Sequence, residues 1–506
     1  MSAREERGTS LRALASLFGA AILVWGGRSL AGPPPVLTQH NDNSRTGANL
    51  SETTLTPANV SGLQKLYTIS LDANVNGQVL YVPNVTIQGA AHNVLYIYTS
   101  NNANNSPCSA YAFDADNPSS GPLWRHQFTS SAQWTTCTPV IDPSTNTMYV
   151  LTKDTTDTGK TRLRALDITT GAEKPGSPVL VGARVPGTGD GSVNGYVSFA
   201  TYHADCRPGL LFLNGVVYIA FAHNSDSYPY HGWIMGYKYN GSRFSRVGRF
   251  CTCPNGGEAG VWMAGDGLAA DSNGYIYCTT GNGTFTANTR GTSYGMCVLK
   301  LSTPYLRVID WFAPYDELGN SNADEDFGNA GVLGIPGTNR LFTGGTKFGS
   351  AFLLDSTNLG HFTSGGPDKV LQRFDNLMSN DNVGQTPVCW NATSEEYVYL
   401  WPHSTGLMQF QYDPSQGQFN PAGIYKQSSS LTSGGSLAVT ADGSSSGILW
   451  AVGDNNTFYA LDATDVSKAP LWSASLPSVG HFQFPTIVNG KAYVPTGSAT
   501  VIVYGL

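Results

Sequence analysis

The most chemically dense stretch of this sequence spans about thirty residues on either side of a predicted strand. It holds three of the nine histidines, two aspartates, an arginine and several tyrosines. Imidazole and phenol groups transfer protons, and guanidinium groups bind carboxylates. The candidate catalytic residues are therefore His203, Arg207, Tyr230 and His231.

A β-elimination on a uronic-acid sugar is one reaction that would use this set. Arg207 would neutralise the sugar carboxylate and so ease removal of the adjacent proton. His203 or His231 would act as the base, and Tyr230 would protonate the leaving oxygen.

Hydrolysis of a saccharide is the other reaction that these residues suggest. It would pair two carboxylates across a cleft, and Asp205, Asp226 and Glu258 are the available ones. A third interpretation gives the set no catalytic role, with His231 packing between blades and Arg207 serving as a buried structural partner. The sequence leaves these alternatives open.

The elements that position these residues belong to a repeat. An aromatic or aliphatic strand that ends in Asp recurs at 111–114, 164–167, 352–355 and 459–462, and four degenerate copies bring the number to eight. The spacing suits four-stranded propeller blades with loop insertions. The aspartates are expected to accept hydrogen bonds from the turns that follow them.

The fold predicted from this repeat is all-β: an eight-bladed β-propeller of four-stranded antiparallel blades covering residues 63–506. Residues 265–312 form one complete blade. Residues 63–71 are expected to add the outer strand to the last blade, so that an N-terminal strand closes the ring. Residues 32–62 are an irregular N-terminal leader, expected to lie across the surface.

Residues 1–31 have the pattern of a secretory signal peptide. A polar start with three arginines precedes an apolar run at 13–26, and small residues before Ala31 suit cleavage after it. An uncleaved anchor is the alternative, although the apolar run is short for a membrane span. We expect a secreted or extracellular protein, periplasmic in a Gram-negative source, with no stable membrane insertion after cleavage.

Eight cysteines in an exported chain suggest disulfide bonds. Cys278 and Cys297 fall in two predicted neighbouring strands and are the preferred pair. Cys108 with Cys137, and Cys206 with Cys251 or Cys253, are further pairs. A zinc site would need other ligand spacings. Several Asn-x-Ser/Thr sequons would make the chain a glycoprotein in a source that glycosylates exported proteins.

Composition limits the partners. Only 12% of the residues are charged and the net charge is −7, so there is no basic surface for a nucleic acid. We expect a monomer that binds a small-molecule or glycan ligand. Tyr228, Trp262 and Trp401 are aromatic side chains that could stack on sugar rings if exposed.

Several segments resemble secreted proteins of the quinoprotein alcohol dehydrogenase-like propeller superfamily, whose blades carry pyrroloquinoline quinone-like repeats. The resemblance covers nearly all of the chain after residue 31, and it implies the eight-bladed fold. The superfamily includes redox enzymes and assembly scaffolds, so the resemblance implies less about function. The matching segments are 39–49, 52–60, 207–220, 230–233 and 281–285.

The quinone-binding members typically have two adjacent cysteines over the cofactor, a stacking tryptophan, and a calcium site of Glu, Asn and Asp. This sequence has no adjacent cysteines. Trp124 and Trp472 resemble the family's blade-packing tryptophans. The acidic residues at 324–326 do not identify a calcium site by themselves and are expected to form a solvated loop.

The sequence therefore supports three hypotheses about function. The main hypothesis is a secreted propeller that binds a polar organic ligand in its central funnel and acts on a saccharide as a lyase or hydrolase. The first alternative is a pyrroloquinoline quinone-dependent dehydrogenase, with calcium and the quinone as cofactors. The second alternative is a non-catalytic binding or scaffold protein.

Overall fold

The structure is a computed structural model, and it describes residues 32–100, 108–128, 135–154, 159–223, 228–344, 346–377, 386–393, 395–403, 405–480 and 482–506. Residues 1–32 and 33–506 are two separate compact units. The predicted signal peptide and Asp226 lie outside the described residues.

Residues 33–506 form a ring of eight antiparallel sheets, which confirms the predicted all-β propeller. From the inner to the outer strand, blade 1 contains Leu80–Ile87, Ala90–Tyr98, Ser109–Asp114 and Pro122–Gln127, and blade 2 contains Val140–Asp142, Thr147–Asp154, Lys160–Asp167 and Val179–Leu180. Blade 3 has an inner strand in two pieces, Ala204–Asp205 and Leu211–Leu213, followed by Val216–His223, Trp233–Tyr239 and Phe244–Cys251. Blade 4 contains Ala269–Ala270, Ile276–Thr279, Val298–Leu301 and Val308–Phe312.

The second half of the ring has the same pattern. Blade 5 contains Val332–Ile335, Arg340–Thr343, Ala351–Asp355 and Gln372–Phe374, and blade 6 contains Val388–Asn391, Glu396–Leu400, Met408–Asp413 and Gln418–Gln427. Blade 7 contains Gly435–Asp442, Ser445–Gly453, Thr457–Asp462 and Trp472–Ser475. Blade 8 contains Thr486–Val488, Lys491–Thr496, Thr500–Gly505 and Gln64–Ser70.

The remaining elements are short. Arg184–Pro186 pairs with Tyr196–Ser198, one α-helix covers Glu317–Asn322, and 3₁₀ turns lie at Val60–Gly62, Pro118–Ser120 and Ala287–Thr289. Ala48–Asn49 pairs in parallel with the inner strand of blade 7. None of the helices in the described ranges is long and apolar enough to cross a membrane.

The aspartates at the ends of third strands organise the turns that follow. Asp167 Oδ1 accepts a hydrogen bond of 2.8 Å from the Thr169 N–H, and Asp462 Oδ1 accepts one of 2.9 Å from the Thr464 N–H. The predicted structural role of these residues is confirmed. Each carboxylate satisfies a turn amide that has no partner in the sheet.

Tryptophans tie neighbouring blades together, as the sequence predicts. The Trp124 indole donates to the Ile168 carbonyl at 2.9 Å, which joins blade 1 to blade 2. The Trp472 indole donates to the Leu63 carbonyl at 3.1 Å, beside blade 8. The apolar core lies between adjacent sheets because each sheet buries both of its faces.

The N-terminal segment 36–52 lies at the centre of the ring, and the prediction that it lies across the surface is wrong. Inner strands have free backbone groups on their inner edge, and this central segment supplies their hydrogen-bond partners. This segment makes a hydrogen bond to each of the eight blades, or to a residue beside it. From blade 1 to blade 8, the residues that make these bonds are Val36, Leu37, Thr38, Asn43, Ser44, Thr46, Gly47 and Asn49.

Candidate functional site

The candidate site is formed by connections from blades 3 and 4 that meet at one end of the ring. They are 228–232 and 280–297, which follow second strands, and 252–268 and 313–331, which follow fourth strands. Glu258 links them, because its N–H donates to the Tyr230 carbonyl at 2.8 Å and it also pairs with Gly283.

A cavity of about 660 Å³ opens among these connections. Its wall combines aromatic rings with carboxylates and amides, which is a surface suited to a polar organic ligand. The Tyr228 hydroxyl donates to the Glu258 carboxylate across the mouth. The residues that carry the argument below are Tyr228, Tyr230, Glu258, Asn282, Glu317 and Asp324.

Glu317 is a titratable group on this wall whose pKa is strongly shifted. It begins the helix Glu317–Asn322 and is buried. Burial, together with the charge of Asp316, raises the pKa of Glu317 to about 7. Both protonation states of Glu317 are therefore populated at neutral pH, which suits a proton acceptor or donor.

A second group of side chains adjoins the cavity. We call it the Trp262 cluster, and its members are Arg207, Trp262, Asn282, Asp324, Asp326 and Lys347. Gly281 lies at its centre, since a Cβ there would clash with the Asp326 carboxylate and lie 2.8 Å from the indole nitrogen of Trp262. A glycine is therefore needed for the tryptophan and the aspartate to approach each other.

Arg207 covers one face of the buried Trp262 ring. Its Cζ lies 4.7 Å from that ring centroid and 5.9 Å from the ring centroid of Phe482, which lies on the connection between blades 7 and 8. Arg207 Nε also lies 3.0 Å from the buried Asp205 carboxylate. Burial raises the pKa of Asp205, and the positive charge of Arg207 opposes this increase.

Asn282 connects the cavity to the two aspartates of the cluster. Its Nδ2 donates to Asp324 at 2.6 Å, and its backbone N–H donates to Asp326 at 2.8 Å. Its Oδ1 is buried and has no hydrogen-bond partner, and the indole nitrogen of Trp262 is in the same condition. A buried polar atom without a partner indicates a bound group, an ordered water molecule or strain.

Lys347 neutralises the two aspartates. Its Nζ lies 3.0 Å from Asp326 Oδ2 and 3.1 Å from Asp324 Oδ2. Burial lowers the pKa of Lys347, but the two carboxylates more than reverse this, so its pKa is raised. Asp326 is largely buried and Asp324 is exposed, so the expectation of a wholly solvated acidic loop is wrong at Asp326.

Two of the four predicted catalytic residues lie together. The rings of His203 and Tyr230 each stack on the ring of His223, with a centroid distance of 4.8 Å in both cases. His223 was part of the same dense stretch of sequence. The stack ends at Tyr202 on one side and Tyr228 on the other, both exposed.

The other two predicted residues have different surroundings. His231 is buried, with Nδ1 2.9 Å from the Cys253 carbonyl and Nε2 2.8 Å from the Asp190 carbonyl. Both ring nitrogens therefore face acceptors, and neither has a lone pair directed at a ligand, which disfavours the general-base role. Arg207 belongs to the Trp262 cluster.

The three aromatic residues expected to stack on sugars differ in their exposure. Tyr228 is exposed at the cavity, whereas Trp262 and Trp401 are buried. Trp401 packs inside the ring, and its indole donates to the Leu431 carbonyl at 2.8 Å. Trp401 is thus a core residue.

All eight cysteines are described and buried. Cys278 and Cys297, the preferred pair, are not bonded to each other. The register explains this, since Cys278 lies opposite Leu299 and the Cys297 thiol is directed at the Gly295 carbonyl, 3.2 Å away. Neighbouring strands were predicted correctly, but the two positions are offset along the ladder.

Metal binding would depend on amide oxygens. Within the described ranges there is no group of three or more His, Cys, Asp or Glu side chains that could hold an ion. In the Trp262 cluster, however, the free Oδ1 of Asn282 lies beside two aspartates. Oxygen atoms of this kind are the ligands of hard cations.

Asn282 and Lys347 were not identified from the sequence. The pattern at 281–283 indicates a turn, which is correct for the backbone but gives no role to the amide. Lys347 does not belong to any motif that was recognised in the sequence. The one signal toward Asn282 is the resemblance, which includes 281–285.

No family model matches the chain, and no curated protein matches it. Solved structures do match. The quinohaemoprotein alcohol dehydrogenase from Comamonas testosteroni has a TM-score of 0.56 and 14% identity over 93% of this chain and 80% of that one. A europium-containing methanol dehydrogenase has a TM-score of 0.59 and 13% identity over 93% of this chain and 98% of that one.

The computationally designed Ika8 protein also matches, with a TM-score of 0.50 and 10% identity over 88% of this chain and all of that one, 100%. At such identities the likeness establishes the fold alone. The chain thus has the eight-bladed propeller fold that the resemblance implies, and its fold is similar to those of these two dehydrogenases.

Proposed function

We propose that the protein is a quinone-dependent dehydrogenase of a polar alcohol, with the cofactor and a hard cation held by the Trp262 cluster. The observation that carries the proposal is the pair of buried polar atoms without partners, Asn282 Oδ1 and Trp262 Nε1, beside two aspartates. The two similar dehydrogenases favour the same class of activity.

The residues of the cluster match part of the donor set that the resemblance implies, because the cluster contains a tryptophan, an asparagine and two aspartates but no glutamate. Trp262 is a flat apolar surface against which a planar ring can stack. Asn282, Asp324 and Asp326 would be the oxygen ligands for calcium or a similar ion, which would have to displace the Lys347 ammonium from the two carboxylates. Arg207 and Lys347 are cations that would bind the carboxylates of pyrroloquinoline quinone.

A bound pyrroloquinoline quinone would supply a two-electron acceptor for oxidation of the alcohol carbon. The chain itself must bind the substrate and take up its hydroxyl proton. Tyr228 and Tyr230 give the adjoining cavity aromatic walls for the carbon skeleton. Glu317, with a pKa of about 7, is the proton acceptor on that wall.

Besides lacking a glutamate in the Trp262 cluster, the chain departs from the typical quinone site in a second respect. It has no adjacent cysteines, and the accessible face of Trp262 is covered by the Arg207 guanidinium instead. A planar cofactor that stacks on Trp262 must therefore either displace Arg207 or bind beneath it.

Titration with pyrroloquinoline quinone tests the proposal. The purified full chain is titrated with and without calcium while tryptophan fluorescence is followed. We expect calcium-dependent quenching, weakened by about tenfold or more in Asn282→Ala. Asn273→Ala, an exposed turn residue of the same blade, is the matched control and should bind normally.

Activity completes the test. With quinone and calcium, the protein should reduce an artificial electron acceptor in the presence of small alcohols or sugars. Absence of quinone binding by a folded protein at ~1 mM calcium, a concentration that fills weak extracellular sites, would overturn the proposal.

A saccharide-acting enzyme is the second candidate function, and the cavity favours it. Glu258 and Glu317 face a space that also holds Tyr228 and Tyr230, and paired carboxylates with aromatic walls suit glycoside hydrolysis. Incubation with a glycan library tests it, with Glu317→Gln as the inactive variant. Glycan binding without turnover in both proteins would indicate the non-catalytic alternative.

A further inference from the structure

We propose that Cys137 and Cys206 form a disulfide bond that fixes the loop carrying Arg207. The pairing differs from those that the sequence suggested. It does not depend on the proposed function, because it concerns how this loop is anchored.

The backbone brings the two cysteines together. Thr135 and Cys206 are partners in a parallel β-bridge, and the Thr136 N–H donates to the Cys206 carbonyl at 3.2 Å. Side chains two residues apart on a strand point to the same face. Cys137 therefore lies on the same face as Cys206, as its diagonal neighbour across the bridge.

The side chains share one apolar environment. Cys137 is 2% exposed and Cys206 is 1% exposed, and both belong to the cluster between blades 2 and 3. Burial and contact with the Cys137 thiol raise the pKa of Cys206. The two sulfur atoms are thus neighbours that no other chain segment separates.

The other cysteines are placed differently. Cys251 and Cys253 are the partners suggested for Cys206. Cys251 ends the outer strand of blade 3, and Cys253 follows it with its thiol directed at the Thr284 carbonyl, 3.2 Å away. Cys206 belongs to the inner edge of the same blade. The width of the blade separates these positions.

The bond would form by thiol–disulfide exchange. One cysteine thiolate attacks a small disulfide such as oxidised glutathione and releases one reduced glutathione, and the second thiolate then displaces the other. Two thiols are oxidised to one disulfide, the glutathione disulfide is reduced to two thiols, and two protons are conserved in the products. Because both sulfurs are buried in the folded chain, the exchange would take place during folding.

Peptide mapping tests the proposal directly. The reduced full chain is folded in a glutathione redox buffer, free thiols are alkylated in denaturant, and the protein is digested with trypsin without reduction. Cleavage gives peptide 126–153, with Cys137 as its only cysteine, and peptide 185–238, with Cys206 as its only cysteine, because trypsin does not cut before Pro208. We expect these peptides to be linked.

Variants provide the control and a second measurement. Cys206→Ala should leave peptide 126–153 alkylated, whereas Cys389→Ala, at another buried cysteine, should leave the link intact. Reducing agent should lower the midpoint of thermal unfolding by several degrees in wild type and in Cys389→Ala, but not in Cys206→Ala. Alkylation of both peptides in folded wild-type protein, or a link from 185–238 to a peptide with Cys251, would overturn the proposal.

Discussion

Arg207 contacts both the Trp262 ring and the Asp205 carboxylate. Its Cζ is 4.7 Å above the centroid of the Trp262 ring, and its Nε is 3.0 Å from the carboxylate of Asp205, which is 2% exposed. The same cation thus neutralises a buried charge and covers the aromatic surface of the proposed cofactor site. Its position is a structural requirement as well as a functional one.

Replacing Arg207 by Ala should destabilise the protein because it leaves the Asp205 carboxylate buried without its partner. We expect a loss of about 1–2 kcal/mol at pH 8, less than for a fully buried pair since Arg207 is partly exposed. The pKa of Asp205, already raised by burial, should rise further, so the loss should shrink toward acidic pH.

Urea unfolding at pH 8 and pH 5 measures this effect. The double variant Asp205→Asn with Arg207→Ala should recover part of the lost stability, because the unpaired carboxylate is removed, although the buried Lys153 ammonium loses a nearby negative charge. If the double variant is less stable than Arg207→Ala, the ion pair is not the source of the effect.

Arg45 should be the residue of the central segment most sensitive to substitution. It is fully buried, Nη2 donates to the Leu268 carbonyl at 2.8 Å, and Nη1 donates to the Gln39 carbonyl at 2.7 Å. Lysine cannot reach both acceptors. Arg45→Lys should cost about 2–4 kcal/mol in denaturant unfolding.

Arg184→Lys is the matched control for this substitution. Arg184 is exposed and packs over the Tyr196 ring at 4.7 Å, so the change should cost less than about 0.5 kcal/mol. Equal effects of the two substitutions would mean that the central segment contributes little to stability.

The blade architecture could be predicted from the sequence because each blade is a local structure. The outer strand predicted to end at Phe312 ends there, and the aspartates after third strands make the predicted turn contacts. Hairpins and turns depend on residues a few positions apart, so their pattern is legible in the order of residue types.

The central segment and the Trp262 cluster could not be predicted because their contacts are distant in the sequence. Arg45 bonds to Leu268 through a backbone carbonyl, a group that every residue has. The approach of Arg207 to Trp262 likewise depends on how two connections fold above the ring. Residue types and spacing identified a dense region, but they could not show that His231 binds two carbonyls.

Glu396 should make stability decrease with increasing pH. Its side chain is buried in a strand of blade 6, and burial raises its pKa to about 7. Between the unfolded pKa of 4.5 and about 7 the unfolded chain has lost this proton while the folded chain keeps it, so the free energy of unfolding falls as pH rises across that window.

Glu396→Gln removes this contribution. The variant should exceed wild type in stability by about 1–3 kcal/mol at pH 8 and by little at pH 4.5, measured by urea unfolding at each pH. Below about pH 4 both proteins should lose stability together, because the pKa values of Asp355 and Asp462 are lowered in the fold. A stability difference that does not depend on pH would contradict this assignment.

Glu317 should control the pH dependence of the proposed dehydrogenase activity. As a base it must be ionised, so the rate of dye reduction should rise with pH through about 7, its raised pKa. Glu317→Gln should lower the maximal rate by about a hundredfold or more and abolish that step in the pH profile. Quinone binding, followed by tryptophan fluorescence, should change little. Glu325→Gln, on the same connection, is the control and should keep the wild-type profile; an unaltered step near pH 7 in Glu317→Gln would assign the proton acceptor to another residue.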